Sequence, residues 1–519
     1  MTKENITDVL IVGAGPTGTA LAIDLVRRGV SVRLIDRASR AFDGSRAKGV
    51  QPRTLEILHD LGALTEVINH GELYPPMGIH VGPVTVPLRM MARGKQSSAV
   101  PHPDTWLIPQ FSTDRALHHR LEALRTPIAF DTELVDFTVE STGVHARLAT
   151  PVGVETFVAR YIVGADGGGS SVRKQAGIEF TGSTDDSDRI LLVDATVTGL
   201  SRKYWHVWPG LGGKFVGACP LPHSEMFQWM IRLSADESPP QGLDNITHRI
   251  RSHTHNKGIT LREIRWQSVF RPNIRLAESY RRGPVLLAGD AAHVHTPAGA
   301  QGLNTGIGDA YNLGWKLGLV LQGANEQLLD TYEAERRPIA AAVLGLSTKK
   351  YEGMGKMAPS SFRRGKDEKQ LSLTYHGGPL ADSAAERTAT LRVGDRAPDA
   401  DLVTEDGTKA RLFDLIRGPH FTLIVYGSRA ASDLDQLKGP AKNAHLERIF
   451  VDTEPNAETT VLTDPTGDFA RNYGLSRDAL ILVRPDGYVG HIAIQDLSIT
   501  TPLELLGLVP ASAHQKPPQ

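Results

Sequence analysis

Short apolar runs that end in glycine recur along the chain, and each is followed by apolar positions at helical spacing. The first such stretch is DVLIVGAGPTGTALAIDLVRRGVSVRLIDR, residues 8–37. Val9 to Val12 predict a strand, Ala20, Leu21, Leu25 and Val26 recur as one helical face, and Val30 to Ile35 predict a second strand ending at Asp36. The turn between strand and helix reads Gly13-Ala14-Gly15-Pro16-Thr17-Gly18. Strand, glycine turn, helix and strand form a βαβ unit with a dinucleotide-binding fingerprint. Gly13 permits the tight turn, Gly15 lets a pyrophosphate approach the backbone, and Gly18 lets the helix pack on the strand. The helix N-terminus offers unpaired N–H groups and the positive end of its dipole to phosphates. Asp36 is placed to accept from a ribose hydroxyl.

Two later stretches repeat the ending. In YIVGADGGGSSVRKQAGI, residues 161–178, a short strand runs into Asp166-Gly167, and Ser170 or Ser171 is a candidate cap for the next helix. In LLAGDAAHVHTPAGAQGLNTG, residues 286–306, the strand Val285 to Ala288 ends at Gly289-Asp290. Pro297, Gly299 and Gly302 then let the backbone lie flat against a planar group. Asn304 or Thr305 is expected to cap a helix carrying Leu303, Ile307, Ala310, Leu313 and Leu317 on one face. Three strand ends bearing Gly and Asp suggest convergence on one polar ligand at the carboxyl edge of a sheet. The third helix N-terminus favours negative charge, which suits a reduced flavin better than a nicotinamide.

At 519 residues the chain exceeds one compact core, so two or three domains are expected. A formal net charge of -1 gives no overall signature for nucleic acid or an anionic membrane. The N-terminal MTKENITD carries no apolar signal segment, and no apolar run is long enough to span a membrane. Cys219 is the only cysteine, which excludes an intramolecular disulfide and points to a reducing cytoplasm. His206, His223, His293 and His295 lack metal-ligand spacing, so no metal is expected.

The blocks GAGPTG, GADGGGSSVR and LLAGDAAHVHTPAGAQGLNTGIGDAYNLGWKL resemble, in order and spacing, those of single-component FAD-dependent aromatic hydroxylases of the para-hydroxybenzoate hydroxylase and phenol hydroxylase type. The resemblance implies an α/β fold: a Rossmann-like FAD-binding domain over residues 1–180, an inserted substrate-binding sheet over 181–275, and the rest of the FAD domain with a helical connection over 276–390. It places Gly13, Gly15, Pro16 and Gly18 on the FAD pyrophosphate and Asp36 with Arg37 on the adenosine side. Arg46 would lie near flavin and pyrophosphate, and Gln110 would reach the ribityl chain. Asp166 would serve both FAD and the reduced nicotinamide, Asp290 the ribityl or pyrophosphate region, and Pro297, Gly302, Leu303 and Asn304 the isoalloxazine ring. The implied activity is NAD(P)H- and O2-dependent hydroxylation of a phenolic or polyketide-like aromatic through a flavin C4a-hydroperoxide. Alternatives are Baeyer–Villiger oxidation or inactivation of an aromatic antibiotic by the same chemistry, or a silent FAD-binding sensor. A homodimer follows from the resemblance alone. No catalytic residue is assigned. Lys48 stands where phenol-hydroxylase relatives often carry an Asp near the phenol, so that candidate base is missing. Ala300 replaces the first position after Gly299 in a common Gly-Gly-Gln-Gly-Leu-Asn motif.

Residues 181–275 alternate like a sheet and concentrate Trp205, His206, Trp208, Phe227, Trp229 and Trp266. Aromatics there stack on a planar substrate or, more often, form core. From about 345 to 390 the pattern weakens into a polar connection. Residues 391–519 resemble the thioredoxin-like domain of phenol and polyketide hydroxylases, with a strand at 421–427 and a hairpin over 479–494 turning at Pro485-Asp486-Gly487. Ser428-Arg429-Ala430-Ala431 occupies the place a redox CxxC would need, so a structural or dimer-contacting role is expected.

Overall fold

The computed structural model describes residues 7–494 except 92, 95–96, 235, 297–299, 356–364, 366, 382–385, 429, 431–445 and 454–459. Its first layer is an eight-stranded sheet. Strand Gly153–Gly164 lies between Thr7–Val12 and Val285–Leu287 and runs parallel to both, with Gly164 opposite Val12 on one side and Leu287 on the other. The three glycine-ended strands are therefore neighbours, and their carboxyl ends share one edge. Their continuous apolar runs follow from burial on both faces: Leu10, Ile11, Ile162, Val163 and Leu286 are fully buried. Helix Pro16–Val26 packs on this sheet and against helix Gly302–Leu321. Ile307, Ala310, Leu313 and Leu317 are all buried, as their spacing predicts.

A seven-stranded sheet forms the second layer, ordered Thr260–Phe270, Arg189–Thr198, Met226–Leu233, Phe215–Pro220, Trp205–Pro209, Met77–Val81 and Val84–Leu88. Its last two strands come from residues 77–88, far from the rest in sequence, because Met77–Val81 pairs in parallel with the edge strand Trp205–Pro209. Side chains alternate between its faces. Val193, Ala195, Trp208, Val216, Phe227, Trp229 and Ile231 point to one side and pack with Ile246 and Ile250 of helix Leu243–Thr254. Trp208, Phe227 and Trp229 are thus core. Trp205 belongs to the opposite face, beside Tyr74, Met77, Met90 and Val207.

The third layer is the C-terminal sheet, with Phe421–Tyr426 between parallel Leu446–Val451 and antiparallel Ala479–Val483. Ala479–Val483 and Val489–Ala493 form the expected hairpin, and Gly487 takes φ +73° in its turn. Helix Asp330–Gly355 continues beyond residue 345, where a polar connection was expected. Arg429 and Ala431 of the former CxxC position lie outside the described residues. Phe421, Leu423, Val425, Leu480 and Leu482 pack against Trp315 of helix Gly302–Leu321, so the C-terminal sheet shares a core with the first layer.

Candidate active site

At the shared strand edge the turn of Gly13 is forced. Its φ is +105°, and a Cβ there would lie 2.4 Å from the Ala165 carbonyl oxygen. A Cβ on Gly15 would meet nothing within 4 Å, so the backbone at the helix N-terminus faces open space. Gly15 is the N-cap of that helix and Pro16 opens it, leaving its first N–H groups without a side-chain cap. Asp36 closes the unit: its carboxylate accepts from Ala14 N at 2.8 Å and from Ala38 N at 2.9 Å. Arg37 beside it is exposed.

Asp166 sits one strand over. One carboxylate oxygen accepts from Ser171 N at 2.7 Å and Val172 N at 3.3 Å, while the other is buried without a hydrogen-bond partner among the described residues. Ser170 caps the helix Ser171–Gln175 by accepting from Arg173 N, as one of the two alternatives anticipated. Arg173 in turn donates to the carbonyls of Gly168 and Ala291, tying the second strand end to the third.

Asp290 is exposed and forms no hydrogen bond or ion pair among the described residues. What holds its loop is Asp309, which the sequence did not single out. Asp309 is fully buried, accepts from Gly289 N and Arg336, and bonds His293 at 2.6 Å. Burial would raise the Asp309 pKa, but the charges of His293 and Arg336 hold it below the usual carboxylate range. His293 is accordingly a structural residue beside the loop.

The helix expected to be capped by Asn304 or Thr305 starts earlier, at Gly302, with Gln301 as its N-cap and no side-chain cap bond. Asn304 is instead spent on tertiary contacts: it accepts from Gln51 N at 2.8 Å and donates to the Gly49 and Ala300 carbonyls. An Asn side chain that reaches two segments of backbone is no longer free to cap its own helix. The first turn, Gly302, Leu303 and Asn304, therefore presents backbone N–H groups at its end. Pro297 lies outside the described residues.

Arg46 is exposed near Phe42, its guanidinium 5.8 Å from the ring centre. Gln110 accepts from Ala47 N at 3.3 Å and donates to Asp114 at 3.4 Å. Asp114 was missed because it reads as one more acid on a polar helix. It is buried, and burial pushes its pKa well above the usual carboxylate range against the Gln110 hydrogen bond. Gly13, Gly15, Asp36, Asp166, Asp290 and the Gly302 turn thus surround one edge, while Arg46 lies on the chain before Gly49 and Gln110 opens helix Gln110–Ala123, which packs on helix Pro16–Val26. An unpartnered buried carboxylate oxygen, an open glycine backbone and two helix N-termini fit a dinucleotide with a phosphate middle and hydroxylated arms.

The match to known proteins decides which one. Residues 6–347 match the model of the FAD binding domain family. The chain belongs to the FAD binding domain family of flavin-dependent aromatic monooxygenases. It is 39% identical to a flavin-dependent monooxygenase of Mycobacteroides abscessus, covering 93% of this chain and 96% of that one. It is 33% identical to the 12-dehydrotetracycline 5-monooxygenase/anhydrotetracycline 6-monooxygenase of Streptomyces rimosus, covering 93% and 94%. The structure of an anhydrotetracycline hydroxylase from Streptomyces rimosus superposes with a TM-score of 0.75 at 30% identity, over 96% of this chain and 98% of that one. FAD is the cofactor of this fold and NAD(P)H its reductant, as the three motif blocks imply. Among the described residues no group of His, Cys, Asp or Glu is placed to hold a metal ion, and no helix is long and apolar enough to cross a membrane.

Proposed function

We propose that this monooxygenase hydroxylates a flat, polyketide-type aromatic polycycle bound between the Ala300–Asn304 loop and the inner face of the second sheet. The observation that carries the reading is the position of Gly49. Its carbonyl is held by Asn304, and a Cβ built on it would meet Ala300 Cβ at 2.7 Å and the Tyr74 hydroxyl at 2.9 Å. The apolar wall of Tyr74, Met77, Ile79, Trp205 and Val207 therefore begins one residue's width from the flavin loop. Methionines and aromatics give such a wall flat, adaptable contacts for fused rings.

In this reading Gly13, Gly15, Pro16 and Gly18 bind the pyrophosphate through backbone. Asp36 and Arg37 serve the adenosine side, Arg46 and Gln110 the ribityl side, and Asp166 and Asp290 the polar arms. The Gly302–Asn304 turn lies along the ring. Bound FAD supplies the redox chemistry and oxygen activation. The chain's own part is to orient the substrate, exclude water and accept charge at the Gly302 helix terminus. The relatives that act in the tetracycline series support a polycyclic substrate. A cytoplasmic enzyme fits the lone, buried Cys219, and a homodimer is the expected assembly, checked by light scattering.

The test is a panel of simple phenols and fused-ring polyketide aglycones, scored by NAD(P)H oxidation coupled to the gain of one oxygen. Fused rings are expected to outperform simple phenols. Uncoupled oxidation with every aromatic would contradict the reading, and the product's structure separates ring hydroxylation from Baeyer–Villiger insertion.

A further inference from the structure

Lys48 lies one residue before Gly49, so it leaves the backbone at the flavin loop, and its side chain reaches the inner face of the second sheet. Its ammonium donates to Gln228 Oε1, lies 3.9 Å from Met230 Sδ, and sits 5.1 Å from the Trp205 ring centre. Its main-chain oxygen accepts from the Tyr74 hydroxyl at 3.0 Å and from Ile108 N at 2.9 Å, which fixes the base of the side chain.

Behind Lys48 the polar groups are aligned. The Gln228 amide nitrogen donates to the Ser45 carbonyl and hydroxyl, both at 2.6 Å, and this forces its oxygen toward Lys48. Ser45 donates twice to Asp194, from its hydroxyl at 2.6 Å and its backbone N at 2.7 Å. Ser45, Asp194 and Gln228 are each at most 1% exposed. The bonded partners lie 149 to 183 residues apart in sequence, so three chain segments have been brought together to hold one cation. A buried relay of this kind costs desolvation and stabilises little, which suits a group placed for recognition rather than for the fold. The apolar surroundings strengthen a charge-assisted hydrogen bond to whatever anion lies over Trp205.

We propose that the Lys48 ammonium binds the ionised hydroxyl of the substrate, a phenol or enol on a polycyclic ring, and that Gln228, Ser45 and Asp194 are positioning residues that hold Lys48 for it. The role rests on the hydroxylase reading above. The hydroxyl proton leaves to water, and the ring is held as the electron-rich anion that oxygen transfer needs. No carboxylate base is required, which agrees with the absence of an Asp at this position. Among the described residues, the charged and titratable groups that face Lys48 from the sheet include Asp194 and Cys219, with Arg265 and Arg202 beyond them. Burial pushes Asp194 above the usual carboxylate range, while its two Ser45 bonds and Lys48 pull it down. Burial also raises the Cys219 thiol to about 11, so it stays neutral across the working range.

The experiment uses the FAD-loaded enzyme and the best substrate of the panel, together with the methyl ether of the same compound. FAD content is measured for every variant. With Lys48 present, the acidic limb of kcat/KM lies below the pKa of the free phenol. In Lys48→Met it moves up by about one unit or more, because one unit is a tenfold change in the anion's stability. The preference for the phenol over its ether falls tenfold to a hundredfold, and Lys48→Arg restores part of both. Asp194→Asn gives a smaller shift in the same direction. Turnover by the parent enzyme with an unchanged pH profile and unchanged ether discrimination in a FAD-loaded Lys48→Met variant overturns the role of Lys48 and leaves the hydroxylase reading standing. Failure of every phenol and enol to gain oxygen overturns that reading, and the Lys48 role with it.

Discussion

The strand edge proposed to hold FAD and the contact with the C-terminal sheet are both lined with charged residues, and they treat charge in opposite ways. At the edge, Asp166 leaves a buried oxygen without a partner, Asp290 stands exposed and unpaired among the described residues, and Gly15 faces open space. At the contact, Glu335 accepts from Lys316 at 2.7 Å and from both guanidinium nitrogens of Arg484 at 2.7 and 2.9 Å. Arg484 also holds Asp486 at 2.6 Å, and Asn312 donates to Glu335 and to Asp486. Nearby, Glu56 pairs with Arg396 and Arg53. Unfilled hydrogen-bonding capacity marks a place kept for a ligand, whereas saturated buried charge marks a permanent junction. The C-terminal sheet is therefore a fixed part of the enzyme, bolted to helix Gly302–Leu321.

The largest effect that separates the two regions is expected from Asp290→Ala. It should release FAD and abolish turnover while leaving the melting temperature of the apoprotein nearly unchanged, since the exposed carboxylate holds nothing within the protein. Stoichiometric flavin with full turnover would place the ribityl site elsewhere. Arg484→Leu should do the reverse. It strips Glu335 and Asp486 of their main partner, and a broken buried pair costs about 3–5 kcal/mol. Calorimetry should show a large drop in stability, with the protein that remains folded still binding FAD. An unchanged melting temperature would remove the bolt from the account.

Acid sharpens the same contrast. Burial alone would raise the carboxyls of Glu56 and Glu335, but Arg396 and Arg53 at the first, and Arg484 and Lys316 at the second, hold both below their usual 4.5. Their folded pKa values are depressed, so their contribution is complete above about pH 4.5 and is lost as the pH falls below it. Thermal melts of the apoprotein between pH 7 and 3 should steepen below that point. Glu335→Gln should flatten the curve, and an equally steep curve in the variant would deny the junction its part. The smallest effect is expected at Ser170→Ala, where loss of the cap to Arg173 N costs about 1 kcal/mol. A modest fall in the melting temperature, with FAD affinity weakened only slightly, is the expected result.

The cluster of strand ends proposed to hold FAD was legible as a cluster because it is written locally. Gly13, Gly15, Gly18 and Asp36 lie within one βαβ unit, and Asp166 and Asp290 each follow an apolar strand by two or three residues. Only adjacency of the three strands had to be supplied by the fold. The junction was illegible for the opposite reason: Lys316, Glu335, Arg484 and Asp486 read as scattered surface charges until the hairpin turn is seen to be buried. Asn304 shows how a local rule loses to a distant partner, since its capping capacity is taken by Gly49 and Gln51. The Lys48 relay was hidden likewise, because Asp194 and Gln228 come from strands that alternate as core, and nothing in their spacing points at residue 45 or 48.

Three neighbouring strand ends are proposed to grip one FAD. Titration of the apoprotein with FAD, followed by calorimetry and by the change in flavin absorbance, tests it most directly. Saturation at one FAD per chain is expected, and no saturation in Asp290→Ala. A folded wild-type chain that stays colourless, or takes up FAD equally well in the variant, would contradict it.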